Sequence, residues 1–256
     1  MTDEMKRCPF CDEEIRVKAL ICKHCGQWAP GYSHEGASRD MLMQRESTQH
    51  IITTKDQDRQ SREGQFRLVA NWANSDRKDS FQGFDLSAQD FQGMDLSETD
   101  LRDTDLRDAN FSGANLSKAN LTKANLFRAN LKGANLQQAK FIDAYLREAI
   151  FEEANFSGGS LLRANMYGAN LKRAILFRVD LEQANLKTAD LRGVNLRESY
   201  LKETNLEWAK MEEAVVTGAL IVGARLIGTG LTPQQYNRAR SLEGTVLPDG
   251  QIVKGI

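Results

Sequence analysis

Beyond residue 25 the chain has no cysteine, and beyond residue 50 it has no histidine. Most of the molecule therefore lacks both a disulfide framework and the side chains most used for thiol, imidazole or metal chemistry. No run of about eighteen apolar residues occurs, so no membrane-spanning helix is expected. An excess of either charge is missing too: the formal net charge of −1 gives no global basic character for nucleic acid. The opening Met1-Thr-Asp-Glu-Met-Lys lacks the apolar stretch of a secretory signal, and a cytoplasmic protein is the expectation.

What the chain has instead is a period. From Phe81 to Leu231 every fifth residue is Leu, Phe, Met, Val or Ile, thirty-one sites without an exception. Chance would give such a run with a probability on the order of 10⁻¹². Two residues before these sites stands alanine at 19 of 30 positions, ten of them consecutive from Ala109 to Ala154, and most of the others are small too. A period of five fits neither a helix nor a simple strand. It fits a coil with flat sides, in which the large apolar residue and the small one before it both point inward while the Asn or Asp between them faces out. The small residue keeps the interior narrow enough for stacked Leu and Phe to fill it.

Units such as Ala109-Asn-Phe-Ser-Gly, Ala114-Asn-Leu-Ser-Lys and Ala119-Asn-Leu-Thr-Lys resemble the pentapeptide-repeat family, in its bacterial form, over residues 79–231. The resemblance implies an all-β solenoid, a right-handed quadrilateral β-helix with four units per coil and about eight coils. At roughly 4.8 Å per stacked strand the rod would be about 37 Å long. Such a rod needs covers at both ends. Residues 63–78 supply one as a capping helix, with Phe66, Leu68, Val69, Ala70, Trp72 and Ala73 making an apolar arc through residue 74. Residues 232–256 supply the other: Thr232-Pro233 starts a helix expected to run to about Leu242, with Gly244 as its stop. The first units break the small-residue rule with Phe84, Gln89 and Met94, as an end coil would.

The four cysteines are confined to residues 1–30 as Cys8-Pro-Phe-Cys11 and Cys22-Lys-His-Cys25. Two C-x-x-C pairs can each hold one edge of a tetrahedral ion, and the segment resembles a short zinc ribbon with one structural Zn2+ on Cys8, Cys11, Cys22 and Cys25. Paired disulfides or redox thiols are the alternative, and His24 reads as a spacer rather than a ligand. So short a segment buries too little apolar surface to fold without metal. Residues 31–62, polar and nearly free of aromatics, read as a linker.

No catalytic constellation occurs in the repeats, and the chain reads as a non-enzyme. Residues twenty apart should stack, so one side would carry Arg107, Phe127, Arg147, Tyr167 and Lys187, with Arg128 beside Phe127. Cations interleaved with aromatics can bind an anionic or planar surface, but Asp108 and Glu148 lie beside the stripe and soften its charge, which favours a solvated face. Ile142 and Leu162 on a neighbouring side read as exposed aliphatics. Val215, Leu220, Val222 and Ile227 read as apolar surface that the C-terminal helix covers in a monomer, with a homodimer through the C-terminal end as the alternative. The best understood members of the family bind DNA gyrase by imitating DNA, which requires an acidic rod. Residues 81–231 hold 20 Asp and Glu against 18 Lys and Arg, close to balance. The resulting expectation is a protein–protein adaptor, a rigid rod with a tethered zinc module; nucleic-acid binding through the ribbon and the basic-aromatic side is the other candidate.

Overall fold

A computed structural model describes residues 5–7, 14–16, 61–73 and 80–254. The chain divides into two compact units, Met1–Gln57 and Asp58–Ile256. In the first, strands β1 (Met5–Arg7) and β2 (Glu14–Arg16) pair antiparallel, Met5 with Arg16 and Arg7 with Glu14. Cys8, Cys11, Cys22 and Cys25 lie outside the described residues, as does the linker through residue 60.

The second unit is the coil that the five-residue period predicts. Ser80 bridges Asp100 in parallel, Asp85 bridges Asp105, and the pattern of twenty continues to Asn205 and Arg225. Four units thus make one coil. Each side holds a single bridged residue rather than a strand, and the turn geometry explains why. The Phe84 N–H donates to the Phe81 carbonyl, closing a four-residue turn, and residue 83 has φ of +74°. A positive φ at the third turn position alone is a type II turn. With four of five residues in the turn, one is left to bridge. Between the coils the Phe81 N–H donates to Asp100 O at 2.9 Å and the Asp105 N–H to Phe84 O at 2.8 Å. These bonds repeat along the rod and satisfy the backbone that faces the apolar interior.

All thirty-one periodic apolar residues are buried, from Phe81 to Leu231, and so are the alanines two positions before them. Where Thr99, Thr104, Ser199 and Thr204 replace alanine, their hydroxyls donate to the carbonyls of Leu96, Leu101, Leu196 and Leu181, so no buried hydroxyl is left over. Outside, the Asn ladder works as a series of turn clamps. Asn110 Oδ1 accepts the Ser112 N–H at 3.2 Å, while the Asn130 amide donates to Asn110 Oδ1 at 3.1 Å.

The ends are covered with two departures from the sequence expectation. Helix α1 spans Arg62–Trp72, with Ser61 as its N-cap accepting from the Gly64 N–H at 2.9 Å. It ends at Trp72, with Ala73 as its C-cap, short of the expected residue 78. Its Phe66 packs edge-on against Phe91 at 5.2 Å and its Trp72 against Phe81 at 5.6 Å, beside partly buried Phe84 and Met94. Helix α2 is only Pro233–Tyr236 and does not reach Leu242. The chain instead rejoins the coil: the Arg240 N–H donates to Ala219 O, Ser241 bridges Leu220 and Val246 bridges Arg225. Unpaired backbone on the last coil offers more than further helical turns without an apolar stripe. Gly244, with φ of +66°, is therefore a coil corner and not a helix stop.

Two glutamines finish the ladder where backbone runs out. Gln65 Oε1 accepts the Asp85 N–H at 2.6 Å at the first coil. At the other end, the Gln235 amide donates to Ala214 O at 2.9 Å and accepts the Thr232 N–H at 3.0 Å.

Candidate protein-interaction site

The bridges Asp105–Asn125, Asn125–Tyr145, Tyr145–Asn165 and Asn165–Asn185 place Arg107, Phe127, Arg147, Tyr167 and Lys187 at one turn position on successive coils. The stripe exists, but its charges are mostly engaged. Arg107 pairs with Asp105 at 2.5 Å, and that guanidinium holds the Asp105 carboxyl below the usual carboxylate range. Arg128 lies over the Phe127 ring at 4.9 Å and binds Asp108 at 2.8 Å, which pushes its own pKa up. Lys187 reaches Glu207 at 3.2 Å, and Glu207 also takes Arg225, so its carboxyl is lowered by Arg225 first and Lys187 second.

What remains at the centre is an aromatic clamp around Arg147. Its guanidinium sits 5.1 Å from the Tyr167 ring centroid and donates to the Tyr145 hydroxyl at 3.2 Å, with Glu148 at 3.9 Å. Its Nε is buried and has no hydrogen-bond partner. Phe127 stands 6.4 Å from Tyr145, and the two tyrosines are each 36% exposed. Tyr145 occupies a position where the rod otherwise places Asn or Asp on that side through residue 205, and the period alone does not explain it. The arrangement is amphipathic, cationic at its middle and rigid, which suits contact with a protein surface.

Ile142 and Leu162 are half-buried at their turns rather than exposed. Val215, Leu220, Val222 and Ile227 are half-buried too, and the returning segment after Arg240, more than α2, lies on their coil. Exposed aromatics that the stripe did not include are Tyr145 itself, Tyr200 at 50% and Trp208 at 59%. The Trp208 ring lies across Gly228, where an added Cβ would stand 2.3 Å from it. Phe177 carries Arg178 over its ring at 4.8 Å. Their signal was present in the sequence as aromatics at outward positions, but single ones without a partner twenty residues away. Among the described residues no group of three or more His, Cys, Asp or Glu is arranged to hold a metal ion.

Eight copies of the family model described as pentapeptide repeats match between residues 85 and 228. No curated protein is significantly similar in sequence. Among solved structures, a trypsin-treated form of QnrB1, a plasmid-mediated fluoroquinolone resistance protein, superposes with a TM-score of 0.53 at 21% identity, over 65% of this chain and 88% of that one. A second trypsin-treated form of QnrB1 gives 0.51 at 22% identity, over 62% and 77%. HetL from the cyanobacterium Nostoc sp. strain PCC 7120, a pentapeptide-repeat protein involved in regulating heterocyst differentiation, is 27% identical over 73% of this chain and 98% of its own, with a TM-score of 0.31. With the repeat filling more than half of its length, the chain belongs to the pentapeptide-repeat family, whose fold is the right-handed β-helix.

Proposed function

We propose that the protein is a non-catalytic adaptor that presents its rod to a protein partner and carries a zinc-binding module for a second contact. The observation that carries the reading is the Tyr145–Arg147–Tyr167 clamp, a fixed amphipathic patch on a surface whose other recurrent side chains are spent on turns and ladders. An exposed, preordered aromatic pair around an arginine is the composition of an interface anchor. A monomer with its last coil covered in cis is part of the proposal, and a homodimer through the C-terminal end is the competing assembly.

The zinc module rests on the donor set and on its local frame. Strands β1 and β2 leave six residues between Arg7 and Glu14, and Cys8 and Cys11 fall among them, as in a hairpin that offers two thiolates from its connection. Cys22 and Cys25 would complete the tetrahedron around one structural Zn2+. A cytoplasmic setting belongs to the same proposal, since it keeps thiols reduced. No helix among the described residues is long and apolar enough to cross a membrane.

The fluoroquinolone resistance carried by QnrB1 is not part of this reading. Several acidic residues of the first coils are neutralised by arginine, Asp100 by Arg102, Asp105 by Arg107 and Asp108 by Arg128, and these pairs interrupt the negative surface that DNA mimicry needs. Full gyrase supercoiling in excess protein is the expected result. Nucleic-acid binding is separated by salt, since phosphate contacts weaken steeply as it is added.

The deciding experiment is affinity purification from the native host with the full chain, the Tyr145→Ser/Tyr167→Ser pair and the Cys22→Ser/Cys25→Ser pair. Partners of the rod disappear with the tyrosines and partners of the module with the cysteines. A full set of partners retained by both variants refutes the adaptor reading.

A further inference from the structure

A second surface runs along the rod edge diagonally opposite the tyrosine clamp. Two depressions of about 450 and 460 Å³ lie end to end there and share Arg178. The first is walled by Ser117, Gln137, Ser157 and Phe177, which occupy one turn position on four successive coils. The second is lined by Tyr200, Leu220 and Arg240. Arg240 and Ser241 together oppose Leu220, a one-residue bulge made where the chain rejoins the coil, and such bulges re-aim side chains.

The groove carries a modest cationic excess: Lys118, Arg178 and Arg240 face Glu198 in its walls and Glu98 just outside them, and Arg240 is left without an ion pair among the described residues. Lys118 is drawn back to Glu98 at 2.9 Å and Arg178 onward to Glu198 at 2.7 Å, which opens the space between them above Gly158. Lys140 and Arg197 are exposed nearby and have no ion-pair partner among the described residues.

We propose that this groove binds an acidic segment of a partner protein in extended conformation, with carboxylates four residues apart. Lys118 and Arg178 stand three coils apart and Arg178 and Arg240 about three more, roughly 14 Å per step at ~4.8 Å per coil. An extended chain advances about 3.3–3.4 Å per residue, so four residues span that step, and an even spacing keeps their side chains on one side. Recognition is by side chains: the Lys118 N–H is spent on Gln137 O and the Gln138 N–H on Ser157 O, so no ladder edge is open for an added strand. The exposed amides of Gln137 and Gln138 and the hydroxyl of Ser117 then serve the peptide backbone. A single-stranded nucleic acid fits less well, because it wants successive stacking platforms and the Phe177 ring already carries Arg178. The site does not depend on the Tyr145–Tyr167 clamp.

The test is fluorescence anisotropy of the full-length protein with a labelled Ser/Thr/Val peptide carrying glutamate at every fourth position. Binding is expected to be about tenfold tighter than for the same composition with glutamate at every third position. Gly158→Glu fills the gap with a negative charge; its corner has φ of +70° and an added Cβ would meet Gln138 Cγ at an ordinary 3.7 Å. Twenty other residues with side chains occupy such positive-φ corners, so the variant should fold. Gly158→Glu and Arg240→Glu should each weaken binding about tenfold at unchanged circular dichroism, and Tyr167→Ser should leave it unchanged. Equal affinity for the two peptides, undiminished binding by folded Arg240→Glu, or tighter binding of an oligothymidylate of similar length overturns the proposal.

Discussion

Replacing Leu126 by alanine tests whether side chains five apart share one interior. Leu126 is wholly buried in mid-rod, with Leu106 and Leu146 at the equivalent position on the coils before and after. Removing its three apolar carbons forfeits about 0.8 kcal/mol each, roughly 2.4 kcal/mol of transfer free energy. A cavity term adds to this, and its size depends on whether neighbours can collapse into the space. Here they cannot move far: the Leu126 N–H is bonded to Tyr145 O at 2.8 Å, the Leu106 N–H to Asn125 O at 2.7 Å and the Asn125 N–H to Thr104 O at 2.9 Å. The total should fall near 4 kcal/mol, within the roughly 2.7–5.0 kcal/mol found for buried Leu→Ala changes. For a domain of this size that is a fall in Tm of about 8–16 °C. Leu231→Ala, at the last coil and 5% exposed, should cost about half as much, because its cavity opens on one side to yielding structure. Leu162→Ala, at a half-buried outward position, should cost under about 1 kcal/mol. Urea and thermal unfolding of the full chain, followed by far-ultraviolet circular dichroism, give all three. Equal losses at Leu126 and Leu162 would refute the shared interior.

Thr188 is β-branched with φ of +59°, so Thr188→Gly should raise stability by about 1 kcal/mol in urea unfolding. Gln65→Ala and Gln235→Ala each leave a backbone group of an end coil without its partner, and each should cost about 1 kcal/mol, read as a lower urea midpoint. The Arg102 guanidinium, aided by Ser80, lowers the Asp100 carboxyl to about 2. A depressed folded pKa stabilises above the unfolded value and is lost as pH falls through the folded one, so stability should drop between about pH 4 and 2 and drop less in Asp100→Asn. Full-length protein purified without chelator should hold one zinc per chain by metal analysis, and Cys22→Ser should lose it; four free thiols with no metal would exclude the ribbon.

The coil was legible because its rule is local and absolute. An apolar residue every fifth position and a small one two before it leave one packing solution, and the register of twenty follows from four turns closing a ring. The ends were less legible. Thr232-Pro233 does start a helix, but whether it continues depends on the unpaired backbone of the coil from Ala214 to Leu226, a tertiary competitor with no mark in the helix's own residues. The stripe through Arg107 and Lys187 was legible as a stack, and Asp108 and Glu148 were legible as acids beside it; the remaining partners of its charges were not. The rest of the quenching comes from acids two residues before or one coil away, such as Asp105 and Glu207, and only the folded register shows which of them a given arginine meets.

In a fold this repetitive, function resides in residues that depart from the repeat at some cost to the rod. On the side that carries Asn125, Asn165, Asn185 and Asn205, an asparagine at position 145 would continue the series of turn clamps; Tyr145 cannot accept the Arg147 N–H as Asn125 Oδ1 accepts the Phe127 N–H at 3.2 Å. Tyr145→Asn should therefore stabilise the rod by about 1 kcal/mol while removing the hydroxyl that holds Arg147. The structural and binding roles of the position then move in opposite directions. A variant that melts higher and loses its partner identifies a contact residue. One that melts lower, with the partner retained, shows that Tyr145 belongs to the packing of the rod, and the clamp would cease to be a site.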